Sequence, residues 1–231
     1  MTGGANPLVL AVLLGVAALL PAVLLVATSF VKISVVLGVL RNALGGGDIP
    51  GATVVTALAV ILSLHAMAPT FEAVGDAAGT RIMAALARDP TTPEGLAAWR
   101  DAWTAARAPA TRFLRANATP RDRAFFLDLA RASRARAARG PDAIAATPPD
   151  ANDLAVLLPA FVTSELTRAF ILGLLLLLPF LVVDLVVANV LAALGITSLP
   201  HASASLPFKL LLFVLADGWT TLCRALVLGY R

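Results

Sequence analysis

The chain has 231 residues, of which 59% are hydrophobic and only 14% are charged. A soluble domain usually carries about a quarter charged residues, so this composition excludes an ordinary soluble globular protein. The formal net charge of +4 provides no strongly basic surface for nucleic acid. The single cysteine, Cys223, excludes a disulfide within the chain, and neither histidine stands in a metal-ligand spacing.

The chain begins with two apolar runs separated by a tight turn. Residues 8–30 carry no charge, and a second uncharged run covers 54–71. About 20 apolar residues are enough for a helix to cross the hydrocarbon core, so each run is a membrane-helix candidate. The first run lacks a basic flank and is longer than a signal-peptide core, so we expect it to be retained. Residues 1–71 are therefore predicted to form an apolar helical hairpin that turns at 41–51.

Charged residues concentrate in the middle of the chain, at 72–153. This segment holds 12 of the 18 Lys and Arg residues and 10 of the 14 Asp and Glu residues. It is predicted to be a soluble helical insert between two apolar parts. The positive-inside rule places the 41–51 turn, with its basic flanks, in the cytoplasm. Four crossings would then put the insert on the periplasmic side.

Two helices are predicted within the insert. The first begins at Pro93, ends at Pro109, and carries Leu96, Trp99 and Trp103 on one face.

The second predicted helix begins with a capping-box pattern. Thr119 is the expected N-cap, Pro120 suits the first helical position, and Asp122 completes the box. Arginines are frequent near its C-terminal end, where their positive charge interacts favourably with the helix dipole. Gly140 is expected to end the helix.

Residues 154–231 are predicted to form a second apolar hairpin. Its runs cover 166–194 and 206–228, joined by a turn at 195–207. The whole chain is therefore predicted to be all-α, with four membrane-embedded apolar segments and a helical soluble insert.

Five charged residues lie in or beside the apolar runs and are candidates for intramembrane pairing or assembly. Arg41 is compatible with reaching out from a helix end, and Glu165 and Arg168 can pair at i, i+3. Asp184 lies centrally and has no basic residue one turn away, so its partner must come from elsewhere. In a hairpin folded about position 200, Lys209 is offset from it by roughly 10 Å. That pair would therefore need a kink or a neighbouring copy.

Three segments of the sequence are similar to the SctR/FliP family of type III secretion export apparatus subunits. The resemblance covers most of residues 15–70 and 154–225. It rests on LLPAVLLVATSFVKISVVLGVLRNALG, on LLPAFVTSELTRAFILGLLLLLPFLVVDLVVANVLAALG and on LPFKLLLFVLADGWTTL. The TSFVK stretch resembles the injectisome members more than the flagellar ones.

This resemblance implies a non-enzymatic, pore-forming subunit that conducts unfolded secreted proteins across the bacterial inner membrane and needs no cofactor. Its implied partners are several copies of itself, SctS-like and SctT-like subunits, and SctU-like and SctV-like subunits, within the lipid membrane and without nucleic acid. Family members can sit largely on the periplasmic side once assembled.

The resemblance also assigns residues. The Asp of the family's PFLxxDL motif falls on Asp184, the Lys of its LPFKL motif on Lys209, and the Arg of its LRNALG motif on Arg41. Family members often carry methionines after the ALG of the last turn, where this chain reads ITS. Ile196 and Leu199 are the expected apolar pore constriction in their place.

Two other functions remain open on the residues alone. A small secondary transporter or proton channel could use Asp184, Asp217 and His65 as a relay. An intramembrane hydrolase has less support, because no persuasive nucleophile–base pair is present.

Overall fold

The computed structural model describes residues 25–45, 50–138, 148–196 and 198–230, together with positions 11, 14, 15 and 18. Within these ranges the chain contains no β-strand, so the predicted all-α fold is confirmed. Seven helices have defined bounds there: α1 (Phe30–Ala43), α2 (Ala52–Leu86), α3 (Pro93–Asn117), α4 (Pro120–Ala137), α5 (Leu154–Ala193), α6 (His201–Leu215) and α7 (Gly218–Leu228).

Helices α2 and α5 are each long and apolar enough to cross a membrane, with 35 and 40 residues. At 1.5 Å per residue they extend over about 52 Å and 60 Å, well beyond a hydrocarbon core about 30 Å thick. Helices α6 and α7 meet at 63° and count as a third candidate if they form one broken span. The first of the four predicted runs, 8–30, lies largely outside the described residues.

The chain divides into two compact units. The insert unit contains Met67–Ser164, and the hairpin unit combines Ser29–Ala66 with Glu165–Tyr230. Helices α2 and α5 contribute residues to both. The insert unit contains all of the predicted insert, 72–153, whose position relative to a membrane stays a prediction.

The core of the hairpin unit is built on the apolar face of α1. Ile33, Val36, Leu37 and Leu40 are almost completely buried and belong to one cluster with residues of α2, α5, α6 and α7. Helix α5 approaches α1 closely at Gly173, where an added methyl group would lie 3.1 Å from the Val39 side chain. A small residue at this position therefore allows the two helices to pack tightly.

In the insert unit, α3 begins at the predicted Pro93. The hydroxyl of Thr92, one residue earlier, accepts a hydrogen bond from the Gly95 amide at 3.1 Å. Thr92 is the N-cap, and the proline occupies the first helical position, where its missing N–H is not needed.

The predicted end of this helix at Pro109 is wrong. Pro109 is buried inside α3, which continues to Asn117. A proline removes one main-chain hydrogen bond, but packing beyond it offsets that loss. Phe113, one turn further on, packs against Phe161 with ring centroids 5.4 Å apart.

The face of α3 that carries the three large apolar residues is not the buried one. Leu96, Trp99 and Trp103 are all exposed, and the neighbouring stripe that includes Ala98 and Ala102 is buried instead. These alanines form a small cluster with alanine and isoleucine of α2. Small side chains let two helices approach closely, which a count of large apolar residues does not reveal.

The predicted N-cap of α4, Thr119, is confirmed, but the reciprocal bond of a capping box, from the Thr119 amide to the Asp122 side chain, is not formed. The Thr119 hydroxyl oxygen accepts a hydrogen bond from the Asp122 amide at 3.1 Å and donates to the Asp122 carboxylate at 2.8 Å. Ser164 of α5 donates to the same carboxylate and accepts from the Thr119 amide at 2.9 Å. The cap thereby joins α4 to α5. Gly140, the predicted stop, lies outside the described residues.

The last turn is shorter than predicted. Helix α6 begins at His201, so Pro207 lies inside the helix and does not close the turn. The connection from Ala193 to His201 is therefore centred near position 197, about three residues before the predicted centre.

A sharp bend separates α6 from α7. Asp217 has φ 47° and ψ 46°, the left-handed conformation, which aspartate tolerates better than most side chains. At Gly218 a methyl group would collide with the ring of Phe213 and lie 2.7 Å from its carbonyl oxygen. Phe213 itself is fixed by ring contacts with Phe180 and Trp219, at centroid distances of 6.3 Å and 5.1 Å.

We expect Gly218→Ala to lower the free energy of unfolding by about 1–3 kcal/mol, because the new methyl group meets backbone that cannot move aside. The measurement is denaturant unfolding of the detergent-solubilised chain. Gly79→Ala in α2 is the matched control, since nothing lies within 4 Å of its added methyl group. That control should be neutral or slightly stabilising. Equal effects of the two substitutions would contradict this explanation of the bend.

Candidate functional site

The structure brings Asp184 and Lys209 together within one chain. Nζ of Lys209 lies 2.7 Å from Oδ2 of Asp184, and the hydroxyl of Ser205 donates to Oδ1 at 2.5 Å. Lys209 and Ser205 are buried, whereas 27% of the Asp184 side chain is exposed. The carboxylate is thus matched by one cation and one hydroxyl from α6.

The short turn explains why neither a kink nor a second copy is required for this pair. A hairpin centred near position 197 places Asp184 opposite roughly position 210, one residue from Lys209. The 10 Å offset expected from a fold about position 200 was wrong because α6 begins earlier than its prolines suggested.

Lys209 also caps the end of α1. Its ammonium group donates to the carbonyl oxygen of Ala43, the last residue of that helix, at 2.9 Å. The last carbonyls of a helix have no partner within it and carry the negative end of its dipole, so a cation is favourable there. Lys209 therefore links α1, α5 and α6 through one buried charge.

A second polar cluster surrounds Glu165, which is completely buried in α5. Its carboxylate accepts hydrogen bonds from Arg168 at 2.7 Å and from the Tyr230 hydroxyl at 2.5 Å. Nζ of Lys32 lies 3.4 Å from the same carboxylate. The predicted i, i+3 geometry of Glu165 and Arg168 is present, but it is only part of a larger set of contacts.

Lys32 of α1 lies inside the protein, although basic residues beside an apolar run often extend outward to water. Only 2% of it is exposed, and its ammonium group lies 3.4 Å from the centroid of the Tyr230 ring. The reason is that a carboxylate and an aromatic face are both within reach, which favours a buried cation. The tyrosine hydroxyl also lies 3.2 Å from the Ser29 carbonyl oxygen, and Ser29 Oγ lies 3.0 Å from Oγ of Ser63.

Sequence reasoning missed Tyr230, Ser29 and Ser63 as members of this cluster. Tyr230 is the only tyrosine of the chain. A lone tyrosine at the end of an apolar segment is a signal that could have been followed, because a buried phenol usually finds a hydrogen-bond partner. The serines gave no comparable signal.

The other predicted residues are not part of either cluster. Arg41 is partly buried, and its Nε has no hydrogen-bond acceptor among the described residues. Ile196 and Leu199 lie in the α5–α6 turn with exposed fractions of 37% and 53%. His65 and Asp217, the other members of the alternative relay, are exposed. No group of three or more potential metal ligands occurs in the described part of the chain.

These observations describe a helical protein with two or three helices suited to crossing a membrane, in which the buried Lys32, Glu165 and Lys209 are paired within the chain. The chain belongs to the FliP family, whose family model matches residues 13–226.

The chain is similar to both flagellar and secretion proteins of known name. It is 42% identical to the flagellar biosynthetic protein FliP of Caulobacter vibrioides over 95% of this chain and 74% of that protein. It is 42% identical to the hypersensitivity response secretion protein HrcR of Ralstonia nicotianae over 93% of each chain. It is 40% identical to the Yop proteins translocation protein R of Yersinia pestis over 96% of this chain and 95% of that one. Because the chain is 42% identical to both a flagellar and a secretion protein, its assignment to the injectisome type stays a prediction.

We expect Asp184→Asn to destabilise the protein more than Lys209→Met. The first change leaves a buried ammonium group without its carboxylate, whereas the second leaves a carboxylate that is partly exposed and still bonded to Ser205. Both effects should fall below the roughly 3–5 kcal/mol typical of fully buried pairs. The double variant should be less destabilised than the sum of the single ones. Denaturant unfolding of the four proteins in detergent measures this.

The exposed pair Asp128 and Arg131 on α4 is the matched control, because its side chains are 76% and 61% exposed. Removing either member should cost less than about 1 kcal/mol. Strict additivity at Asp184 and Lys209 would contradict the pairing.

Proposed function

We propose that this chain is a pore-forming subunit of a type III secretion export apparatus, conducting unfolded proteins across the bacterial inner membrane. The observation that carries the proposal is family membership over residues 13–226, together with relatives named for secretion and translocation. We propose the injectisome type because of the TSFVK stretch.

The uncovered apolar surface supports a role within a larger assembly. In the most apolar 18-residue stretch of α5, which has a mean hydropathy of 2.9, only 11% of the residues are buried. A helix that is apolar all round must contact lipid or other proteins. We propose that copies of this chain and SctS-like and SctT-like subunits cover part of this surface, with SctU-like and SctV-like subunits associated.

The buried charges favour this role over that of a proton channel or secondary transporter. Asp184 and Glu165 are each held by a cation and at least one hydroxyl within the chain. A proton relay needs carboxylates that exchange protons with a continuous path, and the proposed relay members His65 and Asp217 lie exposed, outside these clusters. Purified protein in liposomes should accordingly conduct no protons without partner subunits.

The α5–α6 turn supports the proposed constriction. Ile196 and Leu199 present apolar side chains at an exposed turn, where a ring of several copies would narrow a water-filled passage by dewetting. Two aliphatic side chains would then form the constriction at the place where the family resemblance implies methionines in other members.

We expect the double substitution Ile196→Ala with Leu199→Ala to raise ion conductance through the assembled complex several-fold, because smaller side chains widen an apolar constriction. The measurement is single-channel conductance of the purified complex in planar bilayers, with co-purification of partner subunits recorded for each variant. The unmodified chain must also restore secretion when it is expressed in cells that lack this subunit.

The matched control is Leu181→Ala with Leu185→Ala, which removes similar volume from exposed positions of α5. It should leave conductance unchanged. If the turn variant assembles normally and conducts no more than the control, the constriction is elsewhere. If the chain purifies alone from cells that express all the partner subunits, the proposed function is wrong.

A further inference from the structure

The insert unit contains an arginine-lined cavity of about 560 Å³. Its polar lining comes from Thr111, Arg112 and Arg115 of α3, Arg123 of α4, and Asn152. None of the described residues that line it carries a carboxylate. Three positive charges therefore meet around one space without an opposite charge in the lining.

Arg123 is incompletely satisfied in this cavity wall. Its Nε is buried and has no hydrogen-bond acceptor in the described part of the chain. Other arginines of the same unit do find acids, since Arg107 and Arg134 both lie within 4 Å of the Asp153 carboxylate. A buried donor of a charged group without an acceptor is unfavourable. An anion in the cavity would lie beside the guanidinium group of Arg123 and compensate its positive charge.

The remaining donors suit an anion with several oxygens. Arg115 donates to Oδ1 of Asn152 at 3.2 Å, and a guanidinium group has five N–H donors, so this bond uses one of them. Guanidinium groups present a planar pair of donors that matches phosphate oxygens, and arginine is the side chain most often used for such recognition. The helices α3 and α4 hold these groups on regular backbone.

A smaller, more apolar cavity of about 250 Å³ adjoins the first one. It is lined by residues that include Pro69, Ala73 and Phe113, and it shares Arg112 and Ala116 with the arginine-lined cavity. Arg112 therefore borders both the charged cavity and a more apolar one.

We propose that the arginine-lined cavity binds a phosphate group, supplied either by inorganic phosphate or by the headgroup of an anionic phospholipid. The site lies wholly within the insert unit and is independent of the charge clusters in the hairpin unit. It does not depend on the proposed export function.

Calorimetric titration of the full chain in uncharged detergent micelles tests the proposal. Two probes are used separately: inorganic phosphate and dihexanoyl phosphatidylglycerol. At least one should bind once per chain, and Arg123→Gln should weaken that binding about tenfold or more, the usual scale for losing a charge-assisted contact. Binding of both probes identifies the phosphate ion as sufficient. Binding of phosphatidylglycerol alone identifies the lipid headgroup.

Arg136→Gln is the matched control, because it removes the same charge from an exposed position of α4 outside the cavity. It should leave the affinity unchanged. If Arg123→Gln does not fold, as judged by its circular dichroism, Arg112→Gln at an exposed position gives the same comparison. The proposal is overturned if neither probe binds, or if Arg136→Gln weakens binding as much as the cavity variants do.

Discussion

The burial of the Glu165 carboxylate is the constraint on which the hairpin unit depends. An uncompensated charge in apolar surroundings costs several kcal/mol, so this position is tolerable only if its donors are in place. Lys32 comes from α1, Arg168 from α5 like Glu165 itself, and Tyr230 from the segment after α7. Three parts of the chain that are distant in sequence are therefore fixed by one acid.

The same arrangement recurs at Lys209, where one buried cation joins the end of α1 to Asp184 of α5. Both clusters put charge inside, whereas many leucine and valine side chains of α5 and α6 are exposed. This distribution suits a subunit that must be specific in its own fold and yet present an apolar surface to lipid and other subunits.

The helical class and the α4 cap could be predicted from sequence, because apolar runs and the Thr119–Asp122 pattern are local signals. The inward face of α3 could not, since two adjacent stripes were both apolar and only packing chooses between them. The pairing of Asp184 with Lys209 was suggested by the lack of a basic residue near Asp184 in sequence, by the cost of an unpaired buried charge and by the family resemblance. Its geometry could not be predicted, because the turn is shorter than its prolines indicated. The role of Tyr230 could be recognised only in the tertiary structure, because its partner Glu165 lies 65 positions away in the sequence.

Hydrogen–deuterium exchange of Glu165→Gln in detergent tests the central claim most directly. If one carboxylate ties three segments together, its neutralisation should raise exchange in α1 and around residues 226–230 as well as near position 165. A loss of 1.4 kcal/mol corresponds to about a tenfold faster exchange. Asp101→Asn, at an exposed surface pair with Arg81, should leave all three segments unchanged. Faster exchange confined to α5, with α1 and the C-terminal segment as protected as in the unmodified chain, would contradict the account.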